Sequence, residues 1–118
     1  MRGEVLVIDD DDGVRESIRM ALELEDYAVR EAHDGQEGLE TLRRERRPCV
    51  ILLDLMMPVM NGWQFLGALR RDPSLPDPPV VVVSAVPDAA PEGAVAVLRK
   101  PFNLDRLLEV VAKYCPHP

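Results

Sequence analysis

Short apolar segments that alternate with helical patterns constrain the fold of this chain more than any other feature of its sequence. One of them, Cys49–Leu53, is apolar throughout, as expected for a strand that helices cover on both faces. Strands that alternate with helices form parallel sheets, because each crossover returns the chain to the same edge. The 118 residues are enough for one domain with a substantial core. The predicted strands are Val5–Ile8, Tyr27–Glu31, Cys49–Leu53, Val80–Val83 and Ala94–Leu98.

Helical patterns occupy most of the segments between these strands. The first begins at about Asp12, with Asp11 or Asp12 available as its N-cap. Two more helices are predicted over Gly35–Arg46 and Gly62–Arg71, and a last one follows the capping residue Asn103.

The connection between the fourth and fifth strands departs from this alternation. It consists of Ala85–Gly93 and includes Pro87 and Pro91. A parallel crossover normally takes at least about 10–12 residues, and proline interrupts a helix interior. We therefore predict an α/β fold with a doubly wound, five-stranded parallel sheet ordered 2-1-3-4-5, in which the fourth helix is shortened or missing.

Acidic residues follow two of the predicted strands. Asp9 and Asp10 follow the first strand, and Asp54 follows the third. In this strand order the two strands are neighbours at the switch point, where open sheets bind ligands. Three carboxylates at one edge favour a shared cation, and Mg²⁺ prefers oxygen ligands. We predict that Asp10 and Asp54 bind Mg²⁺ directly, that Asp9 holds a coordinated water and that the Met56 carbonyl adds another oxygen.

Two further polar side chains follow the remaining strands of the same edge. Ser84 offers a hydroxyl after the fourth strand, and Lys100 offers a positive charge after the fifth. A nucleophilic carboxylate at Asp54, a divalent cation, a lysine and a hydroxyl are the groups needed for phosphoryl transfer to a carboxylate.

The run Asp-Leu-Met-Met-Pro-Val-Met-Asn-Gly, from Asp54 to Gly62, is the most specific motif of the chain. Together with the acidic pair, the serine after the fourth strand and the Lys-Pro pair after the fifth, it resembles the receiver domain of two-component response regulators. The resemblance spans nearly the whole chain, and we interpret residues 1–118 as one receiver domain with the CheY-like, flavodoxin-like fold.

This resemblance implies a role for each site residue. Asp54 is expected to be the phosphoacceptor, with Mg²⁺ held beside it by the acidic pair. Ser84 and Lys100 are expected to contact the phosphoryl group, and the Lys100–Pro101 bond is expected to be cis. The metal ligands expected are Asp9, Asp10, Asp54 and Met56.

The resemblance also implies a function in phosphorelay signal transduction. The phosphoryl donor is expected to be a histidine kinase or phosphotransfer protein, and the receiver is expected to control an unidentified downstream protein or output domain. Catalysis would be limited to self-phosphorylation from a phosphodonor and self-dephosphorylation. The dephosphorylation is expected to be slow, because Met56 and Val86 are apolar at positions that shape water access.

Two alternatives remain open at this point. The chain could be a phosphorylation-independent adaptor with a repurposed output face, since Val97 replaces the aromatic residue that the family places three positions before the lysine. A phosphohydrolase of the haloacid-dehalogenase type is disfavoured, because such enzymes place a second aspartate where this chain has Met56.

Charge and cysteine content indicate where such a domain works. The net charge of -7 argues against direct nucleic-acid binding. There is no signal peptide and no apolar stretch of about 18 residues, which argues against a membrane partner. Cys49 and Cys115 are interpreted as small hydrophobic residues in a reducing compartment rather than as a disulfide. We therefore expect a soluble, cytoplasmic domain, and the resemblance to response regulators implies a bacterial protein.

Overall fold

The fold is described here from a computed structural model that covers residues 3–85 and 91–116. Strands and helices alternate along these residues, with a single break between the fourth and fifth strands. In chain order the elements are β1 (Glu4–Ile8), α1 (Asp12–Leu24), β2 (Ala28–Ala32), α2 (Gly35–Arg44), β3 (Val50–Leu53), α3 (Gly62–Arg71), β4 (Val80–Ser84), β5 (Ala96–Arg99) and α4 (Leu104–Tyr114).

The five strands form one parallel sheet in the order β2-β1-β3-β4-β5, which confirms the predicted topology. β1 and β3 are neighbours, and Ile8 pairs with Leu53 at the carboxyl end of both strands. The residues that follow these two strands therefore emerge side by side at the switch point of the sheet.

Alternate residues of each central strand pack against different helices. Val5 and Val7 belong to one buried cluster together with apolar residues of α1 and α4. Leu6 and Ile8 point to the opposite face and belong to a second cluster with residues of α2 and α3. Because both faces of the sheet are covered, β3 is apolar throughout, as the sequence predicted.

Several element boundaries differ from the prediction by one or two residues. Tyr27 precedes β2 because its backbone N–H donates to the Leu22 carbonyl and so belongs to the end of α1. β5 begins at Ala96 rather than Ala94, since Ala94 donates its N–H to the Pro91 carbonyl in a turn. α2 ends at Arg44, two residues before the predicted end.

The connection from β4 to β5 contains no helix within Ala85 and residues 91–95, the described part of the segment. Val86 and Pro87 lie outside the described residues. The connection is held to α3 by the Arg70 guanidinium, which donates to the Glu92 carbonyl. The expectation of a shortened or missing fourth helix is thus confirmed over the part of the crossover that the structure describes.

The interpretation of the two cysteines as unpaired hydrophobic residues is contradicted by the structure. Cys49 and Cys115 are joined by a disulfide, with their Cα atoms 5.3 Å apart. The sequence interpretation was wrong because it considered only spacing along the chain, whereas the fold sets the distance. Cys49 precedes β3, and Cys115 ends the helix that returns the chain to the same edge of the sheet.

Among the described residues, no helix combines the length and the apolar character that crossing a membrane requires.

Candidate functional site

Three carboxylates meet at the carboxyl edge of β1 and β3. Asp9 and Asp10 follow β1, and Asp54 follows β3. One oxygen from each of the three carboxylates lies within 4.8 Å of one from each of the others. The structure therefore brings together the acidic residues that the sequence predicted, at the switch point of the sheet.

Asp54 is buried in the site, with only 5% of its surface exposed. Its Oδ1 lies 3.7 Å from the Lys100 Nζ and 3.5 Å from the backbone nitrogen of Met56. Burial and, next, the negative charge of Asp9 raise the pKa of Asp54 to about 6, and Lys100 offsets this only in part. The carboxylate is consequently ionised at neutral pH, yet poorly compensated by the protein around it.

Asp9 is held through both of its carboxylate oxygens. Its Oδ2 accepts a 2.8 Å hydrogen bond from the Lys100 Nζ, and its Oδ1 accepts a 2.9 Å bond from the backbone N–H of Asp11. The Asp9 side chain is buried, whereas Asp10 is exposed at the mouth of the site. One acid of the pair is therefore fixed in place and the other faces solvent.

Lys100 links the two buried carboxylates. Burial lowers the pKa of Lys100, but the hydrogen bond and charge of Asp9 and the charge of Asp54 outweigh it, so the net shift is upward. The residue follows β5, and the Lys100–Pro101 peptide bond is cis, as expected. The ammonium group thus stays charged between the two acids.

Ser84 is the last residue of β4 and is buried. Its carbonyl accepts the backbone N–H of Lys100 at 2.9 Å, which ties the ends of β4 and β5 together. Ser84 and Lys100 thus reach the sheet edge that carries the acids, as the sequence predicted.

The segment after Asp54 turns back over the strand end. Asn61 caps α3, with a capping box to Gln64. A Cβ atom on Gly62 would lie 2.6 Å from the Asp54 carbonyl oxygen, so only glycine allows the chain to pass this close. The Asn-Gly pair of the motif therefore starts the helix and shapes the wall of the site.

A scan against protein-family models matches residues 5–112 to the response regulator receiver domain. This chain belongs to the receiver domain family. Response regulators are signalling proteins of two-component systems, and receiver domains bind Mg²⁺ at their acidic site.

Relatives and solved structures agree with this membership. The receiver domain is 39% identical over 114 residues to the response regulator MprA of Mycobacterium ulcerans, covering 92% of this chain and 48% of that protein. It is 38% identical over 110 residues to MprA of Mycobacterium avium, covering 88% of this chain and 47% of that protein. The chain therefore spans about half the length of these relatives.

Two solved structures illustrate the likeness of the folds. A CheY-like receiver domain protein from Methanospirillum hungatei superimposes with a TM-score of 0.87 at 29% identity, covering 98% of this chain and 95% of that one. The Thermotoga maritima response regulator TrrA, determined in complex with Mg²⁺-BeF, gives a TM-score of 0.82 at 28% identity, with coverage of 94% and 97%.

One positively charged side chain near the site, that of Arg15 on α1, was not identified from the sequence. Its guanidinium donates a 2.6 Å hydrogen bond to the Asp9 carbonyl and also contacts Glu31 at 3.3 Å. It therefore braces the backbone that carries the acidic pair against β2. Its position one turn after the N-cap Asp11, next to the apolar Val14, was the available signal.

Two apolar residues noted in the sequence, Met56 and Val97, are exposed. Met56 has 60% of its surface exposed near Asp54. Val97 on β5 is 39% exposed and offers no aromatic ring at that surface.

Proposed function

We propose that this receiver domain accepts a phosphoryl group on Asp54 and passes the change on to a partner. The observation that carries the proposal is the arrangement of Asp54, Asp9 and Lys100. A buried, ionised carboxylate lies 3.7 Å from an ammonium group that a second carboxylate holds in place.

The site is suited to a hard cation. Its donors are carboxylate oxygens, which Mg²⁺ prefers, and the charge of Asp9 on the buried Asp54 is a repulsion that a cation relieves. We propose that Asp9, Asp10, Asp54 and the backbone carbonyl of Met56 hold Mg²⁺, with Asp9 acting through a coordinated water. When bound, Mg²⁺ neutralises charge on the transferring phosphoryl oxygens.

The protein's own groups supply the remaining chemistry. A carboxylate oxygen of Asp54 attacks phosphorus while the bond from phosphorus to the leaving group breaks, and the leaving group departs with the electron pair. With acetyl phosphate the products are aspartyl phosphate and acetate. Lys100 and Ser84 are proposed to donate hydrogen bonds to the phosphoryl oxygens, replacing the contact of Lys100 with Asp54.

The proposed donor is a histidine kinase or phosphotransfer protein, and the proposed target is a downstream protein or output domain. We propose that residues 1–118 form the receiver domain and that it works in the cytoplasm. Self-dephosphorylation is proposed to be slow, because the exposed side chain beside Asp54 is the apolar Met56.

Intact mass after incubation with acetyl phosphate and Mg²⁺ tests the proposal. We expect one added phosphoryl group on the parent and none on Asp54→Asn. Asp77→Asn is the matched control, because this exposed aspartate precedes β4 at the opposite edge of the sheet. An adduct that survives in Asp54→Asn would refute the assignment. No adduct on the parent, together with no response to beryllofluoride, would favour the adaptor alternative.

A further inference from the structure

The disulfide lies at the edge of the sheet opposite to the carboxylates. Cys49 directly precedes β3, the strand that ends before Asp54. Cys115 is the C-cap of α4, and its backbone N–H donates to the Val111 carbonyl at 2.8 Å. The Cα separation of 5.3 Å lies within the range that a disulfide spans without movement of the backbone. The bond therefore ties the last helix to the start of the strand that leads to the site.

The two sulfur-bearing residues differ in their access to solvent. Cys115 is 2% exposed and packs in the core cluster shared with α1 and α4. Cys49 is half-buried and lines a cavity of about 290 Å³ with Gly3, Glu4, Arg46 and Arg47. Thiol–disulfide exchange requires a thiolate to reach one of the two sulfur atoms. The cavity gives that access to Cys49 and leaves Cys115 as the leaving group.

The charge around this cavity is positive, although the chain as a whole is acidic. Arg46 and Arg47 are both exposed. The one acid that lines the cavity, Glu4, is paired with Arg30, which also contacts Glu45 at 2.9 Å. Arg30 is shared by two acids, so Arg30, Arg46 and Arg47 exceed Glu4 and Glu45 by one positive charge. A small thiol that carries carboxylates would meet the two exposed arginines there.

We propose that the Cys49–Cys115 disulfide is a thiol–disulfide exchange site for small anionic thiols of the glutathione type, which enter between Arg46 and Arg47. The thiolate attacks the Cys49 Sγ, the S–S bond breaks and Cys115 leaves as a thiolate that takes up a proton. A second thiol then attacks the mixed disulfide, which releases the small-molecule disulfide and leaves the Cys49 thiol. The reverse sequence, with the small-molecule disulfide as oxidant, restores the bond.

This exchange explains how a disulfide can occur in the proposed location of the domain, the cytoplasm, which is a reducing compartment. Disulfides of proteins from such compartments are usually transient and redox-sensing rather than structural. Its residues lie at the other edge of the sheet from the proposed phosphoacceptor, so the inference does not depend on the phosphoryl chemistry.

The test compares two reductants of opposite charge on the oxidised full chain. Glutathione is anionic and cysteamine cationic at neutral pH, and the two are compared at equal thiolate concentration. Reduction is followed by alkylation and intact mass. We expect the ratio of the glutathione rate to the cysteamine rate to fall by about 3- to 10-fold in Arg46→Gln/Arg47→Gln, since each exposed charge contributes a modest, salt-screened attraction.

Arg43→Gln/Arg44→Gln is the matched control. It removes the same charge from the end of α2, but neither residue lines the cavity. We expect its rate ratio to stay within about twofold of the parent's, because only the cavity arginines meet the thiol at short range. An equal fall in both double variants, or no fall in either, would overturn the proposal.

The attacked sulfur is identified with single-cysteine variants. Incubation with glutathione disulfide should modify Cys49 in Cys115→Ser much faster than Cys115 in Cys49→Ser. Equal rates, or preferential modification of Cys115, would overturn the assignment. Failure of the reduced parent chain to form the intramolecular bond with glutathione disulfide would overturn the proposal as a whole.

Discussion

Burial and the negative charge of Asp9 both raise the pKa of Asp54, and the positive charge of Lys100 offsets this only in part. Both effects destabilise the ionised carboxylate, which nevertheless loses its proton at neutral pH because its pKa is about 6. A carboxylate in this environment favours the binding of a cation or of a proton. This arrangement lowers the stability of the folded protein when no metal is bound.

The contribution of Asp54 to the stability of the metal-free protein should therefore decrease as pH rises. The pKa of Asp54 in the folded state, about 6, lies above its ordinary value of 3.8. The native state therefore binds the proton more tightly than the unfolded state. This contribution is fully present below about 3.8 and is lost as pH rises through about 6. Because Asp10 and Met56 leave the mouth of the site open to water, we expect a loss of about 1–2 kcal/mol.

Urea denaturation in chelator between pH 4.5 and 7.5 measures this effect. Asp54→Asn has no carboxylate to titrate at this position. The difference between its free energy of unfolding and that of the parent should therefore shift in favour of the variant as pH rises across the interval. A difference that stays constant, or shrinks with rising pH, would contradict the raised pKa.

Replacing Met56 should change the lifetime of the phosphorylated form. An asparagine at this exposed position can orient an attacking water, and one such hydrogen bond, worth about 0.5–1.5 kcal/mol, corresponds to about 2- to 12-fold faster decay. The measurement is the loss of the phosphoryl group by intact mass after removal of the donor. Met56→Leu should decay at the parent's rate; equal decay of Met56→Asn and the parent would refute the role of this position.

Residues of the candidate site were predictable where chemistry alone marks them. Asp9, Asp54 and Lys100 were found from the sequence because polar residues that end apolar strands of a parallel sheet meet at one edge. Arg15 was not found, because an arginine near a helix N-terminus is usually an exposed residue. Only the fold reveals that its guanidinium reaches back to the Asp9 carbonyl.

Among the elements, β5 is the strand in which one face is most open. Leu98 is 6% exposed and packs in the cluster with α1 and α4, whereas its neighbour Val97 is 39% exposed on the other face. Strand alternation thus separates a core residue from a surface residue at adjacent positions.

Alanine substitutions at these two positions should have very different costs. Leu98→Ala removes a buried side chain and should lower the free energy of unfolding by about 2–5 kcal/mol. Val97→Ala should lower it by less than about 1 kcal/mol, because much of the side chain is already in water. Chemical denaturation of both variants measures the difference. Similar losses would mean that Val97 is covered in solution, for instance by a second molecule.

The existence and order of the elements followed from the sequence, but their ends did not. Strand ends are set by pairing, and the register of β4 with β5 begins at Val81 and Ala96. Residues 94–95 therefore fall outside the strand although they are as apolar as its members. Local composition carries no information about where a neighbouring strand begins.

At the scale of the whole molecule, the disulfide is the feature that the sequence patterns did not predict. Cys49 and Cys115 are 66 residues apart, and neither has a partner at motif spacing. The signal was present only at the level of topology. A cysteine before a parallel strand and one at the end of a returning helix both lie at the amino edge of the sheet.

Reduction of this bond should lower the stability of the whole domain. Opening a loop of 66 residues restores conformational freedom to the unfolded chain, and the expected cost is about 2–4 kcal/mol. Denaturation midpoints of the oxidised and reduced protein give the measurement. Cys49→Ala/Cys115→Ala is the control and should not respond to reductant; coincident midpoints for the two forms of the parent would contradict a stabilising bond.

The same bond divides the candidate site between two mechanical units. The covalent loop from Cys49 to Cys115 contains Asp54, Ser84 and Lys100, whereas the acidic pair of β1 lies outside it. If the oxidised chain is stretched from its termini, the residues inside the loop are shielded from the force. The extended length is shorter by about 230 Å for the 66-residue separation. Tension would thus draw Asp9 and Asp10 away from Asp54, while Asp54, Ser84 and Lys100 stay inside one closed loop.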